Sequence, residues 1–373
     1  MMSFMSNAQN SKEHKAYYDD GTLKEIGHFD KNEQKIGEWK FYYENGQLGT
    51  IDFYKNGKLN GLRKNFHKNG ELLSTLEFVD GVSHGESKTY DKGSLLEIGV
   101  SQFGKKEGEW KVYENDILLS KETWLNGKEN GKWIDYYPNG TIRWEGNWNN
   151  GIATGAWKSY HQNGKLSYIE HYSEQREEND FSKKKREGEA KAYYKNGALE
   201  LIGTFLNGKQ SGISKTYYDN KQIKKTGAWK EGKQIGEWKA YYKNGQLMEV
   251  GNRVNGEMSG KFTLYHENGK LKDVSNWIDG VQTGQWEQYY ESGQLSYASQ
   301  YSDGKLSEEM KHYYENGQLK SVGNHVNGKQ DGKWRVYHKN GKLSEVGNLL
   351  KGRKEGEWKY YDENGKLTTT KNK

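Results

Sequence analysis

The side chains able to do chemistry are plentiful here, but their spacing does not bring them together. Ten His are scattered through 373 residues, mostly at polar positions such as His161, His266 and His338. No H-E-x-x-H motif sets two imidazoles on one helix face. The nearest string to a phosphate loop, GKENGKW from Gly127, lacks the spacing and the final hydroxyl residue. No G-x-G-x-x-G follows a strand and opens a helix. Cys is absent, which excludes disulfides, thiolate catalysis and Cys-ligated zinc. The 51 acidic residues alternate with Lys, as solvated ladders do, and no pair is marked out as an acid/base dyad. The expectation is a chain that is not an enzyme and that has no catalytic residue, cofactor or metal.

Lys and Arg do alternate with aromatic residues, an arrangement that can track a single-stranded backbone while bases stack on rings. The rings sit at positions suited to a core, however, and the net charge is only +6. Nucleic acid is therefore not the expected partner. No apolar run approaches the roughly 18–20 residues of a membrane helix. The leading MMSFMSNAQNSKEHK lacks the apolar stretch of a signal peptide, so a cytoplasmic location is expected.

Something must position all these side chains, and composition narrows what it is. Hydrophobic residues make up 32%, a level at which chains often stay disordered, but 28 Tyr, 13 Trp and 10 Phe argue against disorder. Such rings can build a thin core. Gly is frequent, at 47, and Pro138 is the single proline, which points to many tight turns with positive φ.

A repeat meets these conditions. The phase G-x-W-x-x-Y-Y recurs at Gly37, Gly61, Gly85, Gly108, Gly131 and Gly155, then from Gly188 to Gly356, at 24 residues with 23 in two places. With a degenerate copy near Lys12 this makes about fifteen copies. In GEWKAYYKNGQLMEVGNRVNGEMSG (Gly236 to Gly260), Trp238, Tyr241 and Tyr242 lie in a β-prone run. Asn244-Gly245 reads as a type I′ hairpin turn. Leu247 to Val254 reads as the second strand, and Asn255-Gly256 as the link onward. A Trp column (Trp39 to Trp358), a Tyr column (Tyr42 to Tyr360) and a second-strand aromatic column (Trp148, Phe205, Trp229, Trp277, Tyr301) would supply a narrow core. The expected fold is all-β, an elongated solenoid-like meander of tandem hairpins, twisted or curved.

The pattern W-x-x-Y-Y-x-N-G-x-L-x-x-x-G-x-[aromatic]-x-x-G-K resembles the MORN repeat, specifically the bacterial variant found in the YwqK family of antitoxins. Copies such as Gly37 to Leu48 fit it closely, over nearly the whole chain. The resemblance implies a scaffold that binds and restrains a partner protein, a toxin or effector enzyme, in a bacterial toxin or defence system. Links of MORN arrays to lipid headgroups imply an alternative, a lipid-associated scaffold. Lys58, Lys128, Lys209, Lys305 and Lys329, each after a turn Gly, would supply its cationic edge.

The repeat is irregular in places. Residues 1–11 read as a disordered terminus, 12–172 as a first array, 173–187 as a charged insertion, and 188–373 as a second array. Repeats three and four carry Arg63 and Ser87 in place of Trp, and repeat thirteen carries Glu308 and Met310. Tyr, Trp and Arg dominate binding hot spots. The expected partner-contact residues are accordingly Arg63, His67, Arg143, Trp144, Tyr168, Arg176 and Arg186.

Overall fold

The computed structural model describes residues 11–173, 185–307, 309–326 and 328–373. Among them are 33 β-strands and no helix. Three strands are two-residue pieces of interrupted first strands (Lys58–Leu59, Lys128–Glu129 and Lys305–Leu306), and the other thirty form fifteen hairpins. The chain divides into two units, residues 1–185 and 186–373. Each is an antiparallel meander in which a strand pairs with its neighbours in sequence. The first strand, Lys12–Tyr17, and the last, Leu367–Asn372, each pair on one side only, so the meander does not close.

Repeat ten shows how the residues dictate the hairpin. Lys233–Tyr241 pairs with Leu247–Val254, setting Trp238 opposite Gly251 and Ala240 opposite Glu249. Side chains alternate across a strand. Trp238, Ala240, Glu249 and Arg253 therefore share one face, here called inner, and Glu237, Lys239, Val250 and Asn252 share the outer face.

The two turns differ from the sequence-based expectation. At Asn244-Gly245 only the glycine is left-handed (φ 88°). The turn is a three-residue loop closed by Gly245 N–H to Tyr242 O (2.9 Å) and Tyr242 N–H to Gln246 O (2.8 Å). Asn244 keeps a right-handed backbone because its Oδ1 accepts the Gln246 N–H at 2.9 Å. The type I′ turn lies instead at the link, where Asn255 (φ 52°) and Gly256 (φ 97°) are both positive. The two 23-residue spacings have the same origin. There the first turn shrinks to a two-residue positive-φ pair, Lys92-Gly93 or Asn115-Asp116.

Both edges of the sheet tie each repeat to the next. At the three-residue turns, the Tyr218 hydroxyl donates to Tyr241 O (2.8 Å) and Tyr242 to Tyr265 O (2.7 Å), with His266 and His338 in the same role. Asn220 and Asn244 Nδ2 donate across the same gap. At the type I′ turns, Gly256 N–H donates to Gln234 O, and Gly280 to Met258 O, both at 2.9 Å. An isolated hairpin is marginal in water, and these ladders supply the neighbour contacts that a repeat array depends on.

The core is a Trp laid on a glycine. Trp238 covers Gly227 of the preceding hairpin, where a Cβ would fall 2.1 Å from the indole. Trp39 on Gly27, Trp110 on Gly99 and Trp358 on Gly347 repeat the arrangement. These four rings are buried. The two aromatic columns interleave into one zigzag: Trp124, Trp133, Trp148 and Trp157 follow one another at 5.4–5.5 Å between ring centroids. The Tyr column ends at Tyr361, paired with Leu367. Tyr360 sits one residue earlier and packs against the Trp334–Leu349–Trp358 cluster.

Candidate functional site

Strand alternation gives the inner face a recurring three-part arrangement. Lys35 Nζ lies 3.8 Å above the Trp39 ring and 3.7 Å from Glu25 of the preceding strand. Lys106 stands 4.2 Å above Trp110 and is ion-paired with Glu97. Lys354 stands 4.0 Å above Trp358 and is ion-paired with Glu345. Each Lys is two residues before the left-handed Gly of its strand, and each Glu is two residues after a Leu near the start of the preceding second strand. A cation over an indole face gains from the ring quadrupole, and the carboxylate balances its charge.

Repeat three replaces Trp-on-Gly with an ion pair. Arg63 Nε and Nη2 each donate to Asp52 at 2.6 Å, and the guanidinium lies 5.2 Å over Phe78. Asp52 is 2% exposed and also accepts from the Tyr54 hydroxyl at 3.1 Å. Burial first, then the Asp52 charge, pushes Tyr54 up to about 12. In repeat thirteen, burial lowers the His312 and His325 imidazoles below their ordinary value. Among the described residues, no three His, Asp or Glu converge as a metal site.

The structure does not gather the expected contact residues into one site. Arg63 is turned inward and committed to Asp52. His67 takes the Tyr slot of a three-residue turn, with its N–H bonded to Glu71 O. Arg143 is 53% exposed and paired with Asp135. Trp144 stacks on Trp157 at 5.3 Å. Tyr168 is half-buried on the inner face beside Ser159. Arg186 lies 5.3 Å over Phe205. Arg176 lies outside the described residues, as do Glu308 and most of the charged insertion.

A different surface stands out on the outer face. Phe103 is 74% exposed yet occupies the first, left-handed position of a type I′ turn (φ 50°), where neighbouring repeats place Asp80 or Asn126. A bulky residue in that conformation is strained. Val79, Val82, Val100 and Leu125, all exposed, lie at the same edge of consecutive hairpins. The His84 ring meets Phe103 at 5.5 Å. Single exposed apolar residues are ordinary, but a contiguous group is characteristic of a binding surface.

Comparison with known families gives twelve matches to one model, described as MORN repeat variant. They fall at residues 12–31, 35–56, 59–80, 129–150, 153–174, 186–207, 234–255, 258–279, 282–303, 309–327, 330–349 and 354–372. This chain belongs to the MORN repeat variant family. The MORN model skips the hairpins between residues 81 and 128 and between 208 and 233, yet the structure continues the same hairpins through both intervals. A search of curated proteins returned no match. Solved structures with similarity include TcdB2-TccC3-Cdc42 (11% identity, TM-score 0.16, covering 95% of this chain and 23% of that one). TcdB2-TccC3 is comparable (12% identity, TM-score 0.18, covering 96% and 24%). This MORN chain thus spans about a quarter of the length of those chains, and at such TM-scores the likeness carries no functional argument.

Two features of the MORN surfaces were open to sequence reasoning but were passed over. Phe103-Gly104 breaks a column otherwise filled by Asn, Asp, Glu or Lys before Gly. Glu129 stands where Lys35, Lys106 and Lys354 stand in other repeats. Both are visible once the copies are aligned on the link turn.

Proposed function

We propose that this MORN-repeat chain is a non-catalytic protein-binding scaffold whose partner docks on the outer-face patch around Phe103. The observation that carries the reading is an exposed Phe held in a strained turn position amid four exposed aliphatic side chains. Strain kept where Asn or Asp would relieve it points to a functional constraint. Buried aromatic anchors dominate interface energetics. The finer role, restraint of a toxin or defence enzyme in the antitoxin manner, is supported by the resemblance of the repeat to its bacterial variant.

The test is Phe103→Asp, a residue the same turn slot accepts at Asp80, Asp279 and Asp303. The fold should be unchanged or slightly more stable, and affinity for a partner co-purified from the source cell should drop at least tenfold. Ile213→Asp, at a 64% exposed position in the other unit, is the control. Equal affinity for the parent and the Phe103 variant would overturn the proposal.

A second reading, a lipid-associated scaffold, is supported by Lys58, Lys128, Lys209, Lys305 and Lys329. All five are exposed, Lys58, Lys128, Lys209 and Lys305 directly after type I′ turns, and none has an ion-pair partner among the described residues. Asp80, Asp279 and Asp303 in neighbouring turns weaken such an edge. Co-sedimentation with anionic vesicles at low salt decides it, and no binding there removes it.

A further inference from the structure

The inner face of repeats five and six departs from the Lys-on-Trp arrangement in one specific way. At the position two residues before the left-handed Gly, where Lys35, Lys106 and Lys354 cover their indoles, repeat six has Glu129. Glu129 pairs directly opposite Trp124. Two residues before Trp124 on the same strand face, Glu122 replaces the usual core Gly. Glu122 accepts hydrogen bonds from the Trp124 Nε1–H (3.2 Å) and the Ser120 hydroxyl (3.1 Å). No ion pair engages Glu122 or Glu129 among the described residues, and no cation there lies over Trp133. The Trp133 ring stands 5.5 Å from Trp124 and 5.5 Å from Trp148. All five side chains are half-buried, so solvent reaches them.

The charged groups nearby are already committed. Lys106 is paired with Glu97 and lies 5.0 Å over the Trp124 ring, which leaves Trp133 as the uncovered indole; Arg143 is paired with Asp135, and Lys132 with Glu145 on the opposite face. What remains is a pair of indoles with two carboxylates at a place where repeats two, five and fifteen set an ammonium group. Glu122 meets the positive edge of Trp124 through the indole N–H, and the negative face of Trp133 suits a cation that such carboxylates would balance.

We infer that Trp124, Trp133, Glu122 and Glu129 form a binding site for a lysine side chain presented by a protein partner, the ammonium standing where the chain's own lysine stands in repeats two, five and fifteen. Lysine is favoured over arginine by the same internal comparison. The cations over Trp39, Trp110, Trp238 and Trp358 are lysines, whereas Arg63, Arg186 and Arg253 lie over Phe rings. The inference rests on the protein-binding reading above and adds a second, chemically distinct contact to it.

The experiment titrates the full chain with a capped tri-lysine peptide while following the indole N–H resonances of Trp124 and Trp133, assigned with Trp124→Phe and Trp133→Phe. Tri-arginine, tri-glutamate and spermine are the comparison arms. Expected are shifts at both indoles with tri-lysine, weaker shifts with tri-arginine and none with tri-glutamate. Glu122→Gln/Glu129→Gln should weaken tri-lysine binding at least tenfold. Glu129→Lys should abolish it while raising the melting temperature, because it restores the internal lysine. Unmoved Trp133 at saturating tri-lysine, or equal binding by parent and double-Gln variant, overturns the site. Spermine binding more tightly than tri-lysine overturns the assignment to a protein lysine. Partner capture lost in Phe103→Asp but intact in Glu122→Gln/Glu129→Gln sinks the lysine site alone, and the converse sinks the Phe103 reading alone.

Discussion

Single residues decide whether one hairpin can rest on the next. Trp238 lies flat on Gly227 because glycine has no Cβ to hold it off. Gly227→Ala should cost about 3 kcal/mol by overpacking, and Trp238→Ala about 3–5 kcal/mol by leaving a cavity. The double variant should cost less than the sum, since removing the ring removes the clash. Urea denaturation checks this, and strictly additive losses would refute the packing account. The Arg63–Asp52 pair makes the same contact by charge. Arg63→Ala leaves a carboxylate that is 2% exposed without its partner, and a loss of about 3–5 kcal/mol is expected. Asp52→Gly/Arg63→Trp rebuilds the arrangement of repeats two and five and should be at least as stable as the parent. A double variant as unstable as Arg63→Ala would show that repeat three cannot accept the Trp-on-Gly contact.

At the scale of the element, turn chemistry sets hairpin length and the placement of every side chain after it. In repeat nine the left-handed turn position is held by Lys221 (φ 70°), where sister repeats have Gly. Side chains pay roughly 1 kcal/mol there. Lys221→Gly should therefore stabilise that hairpin by about 1 kcal/mol, read as slower hydrogen exchange at Tyr218 and Gln222. No change would mean that the strain is relieved elsewhere. The outer-face pairs, such as Glu237 with Lys239 at 2.6 Å, act differently. The hydrogen bond to Glu237 holds the Lys239 ammonium above its ordinary value, but the pair is solvated, and such surface pairs add little stability.

Across the whole molecule the hydroxyls of the half-buried tyrosines form a common alkaline limit. Tyr54, Tyr160, Tyr289 and Tyr301 are each pushed up to about 12, chiefly by burial. Between pH 10 and 12 the unfolded chain has lost protons that the folded chain still holds. Their contribution to stability is complete below pH 10 and is lost as pH rises through about 12. Circular dichroism during an alkaline titration should show unfolding in that window, and Tyr289→Phe/Tyr301→Phe should move the midpoint upward. Tyrosinate absorbance that develops fully near pH 10 with the sheet intact would contradict this. Because each repeat touches only its neighbours, all these losses should begin locally and spread along the array.

The repeat period, the strand limits from Leu247 to Val254, the all-β class and the aromatic core positions were legible in the sequence. They are written in the order of residue types along a single hairpin, and side-chain alternation in a strand is a local rule. Which turn is type I′, which columns interleave, and which way Arg63 points depended on the neighbouring hairpin. A bulge or a shared hydrogen bond between repeats decides those matters, and neither is encoded within one copy. The Phe103 patch and the Glu122–Glu129 site belong to the same class. The first joins residues of three hairpins, from Val79 to Leu125, and the second sets side chains from both sides of one link turn, from Glu122 to Trp133, on one face, so strand pairing and stacking decided both.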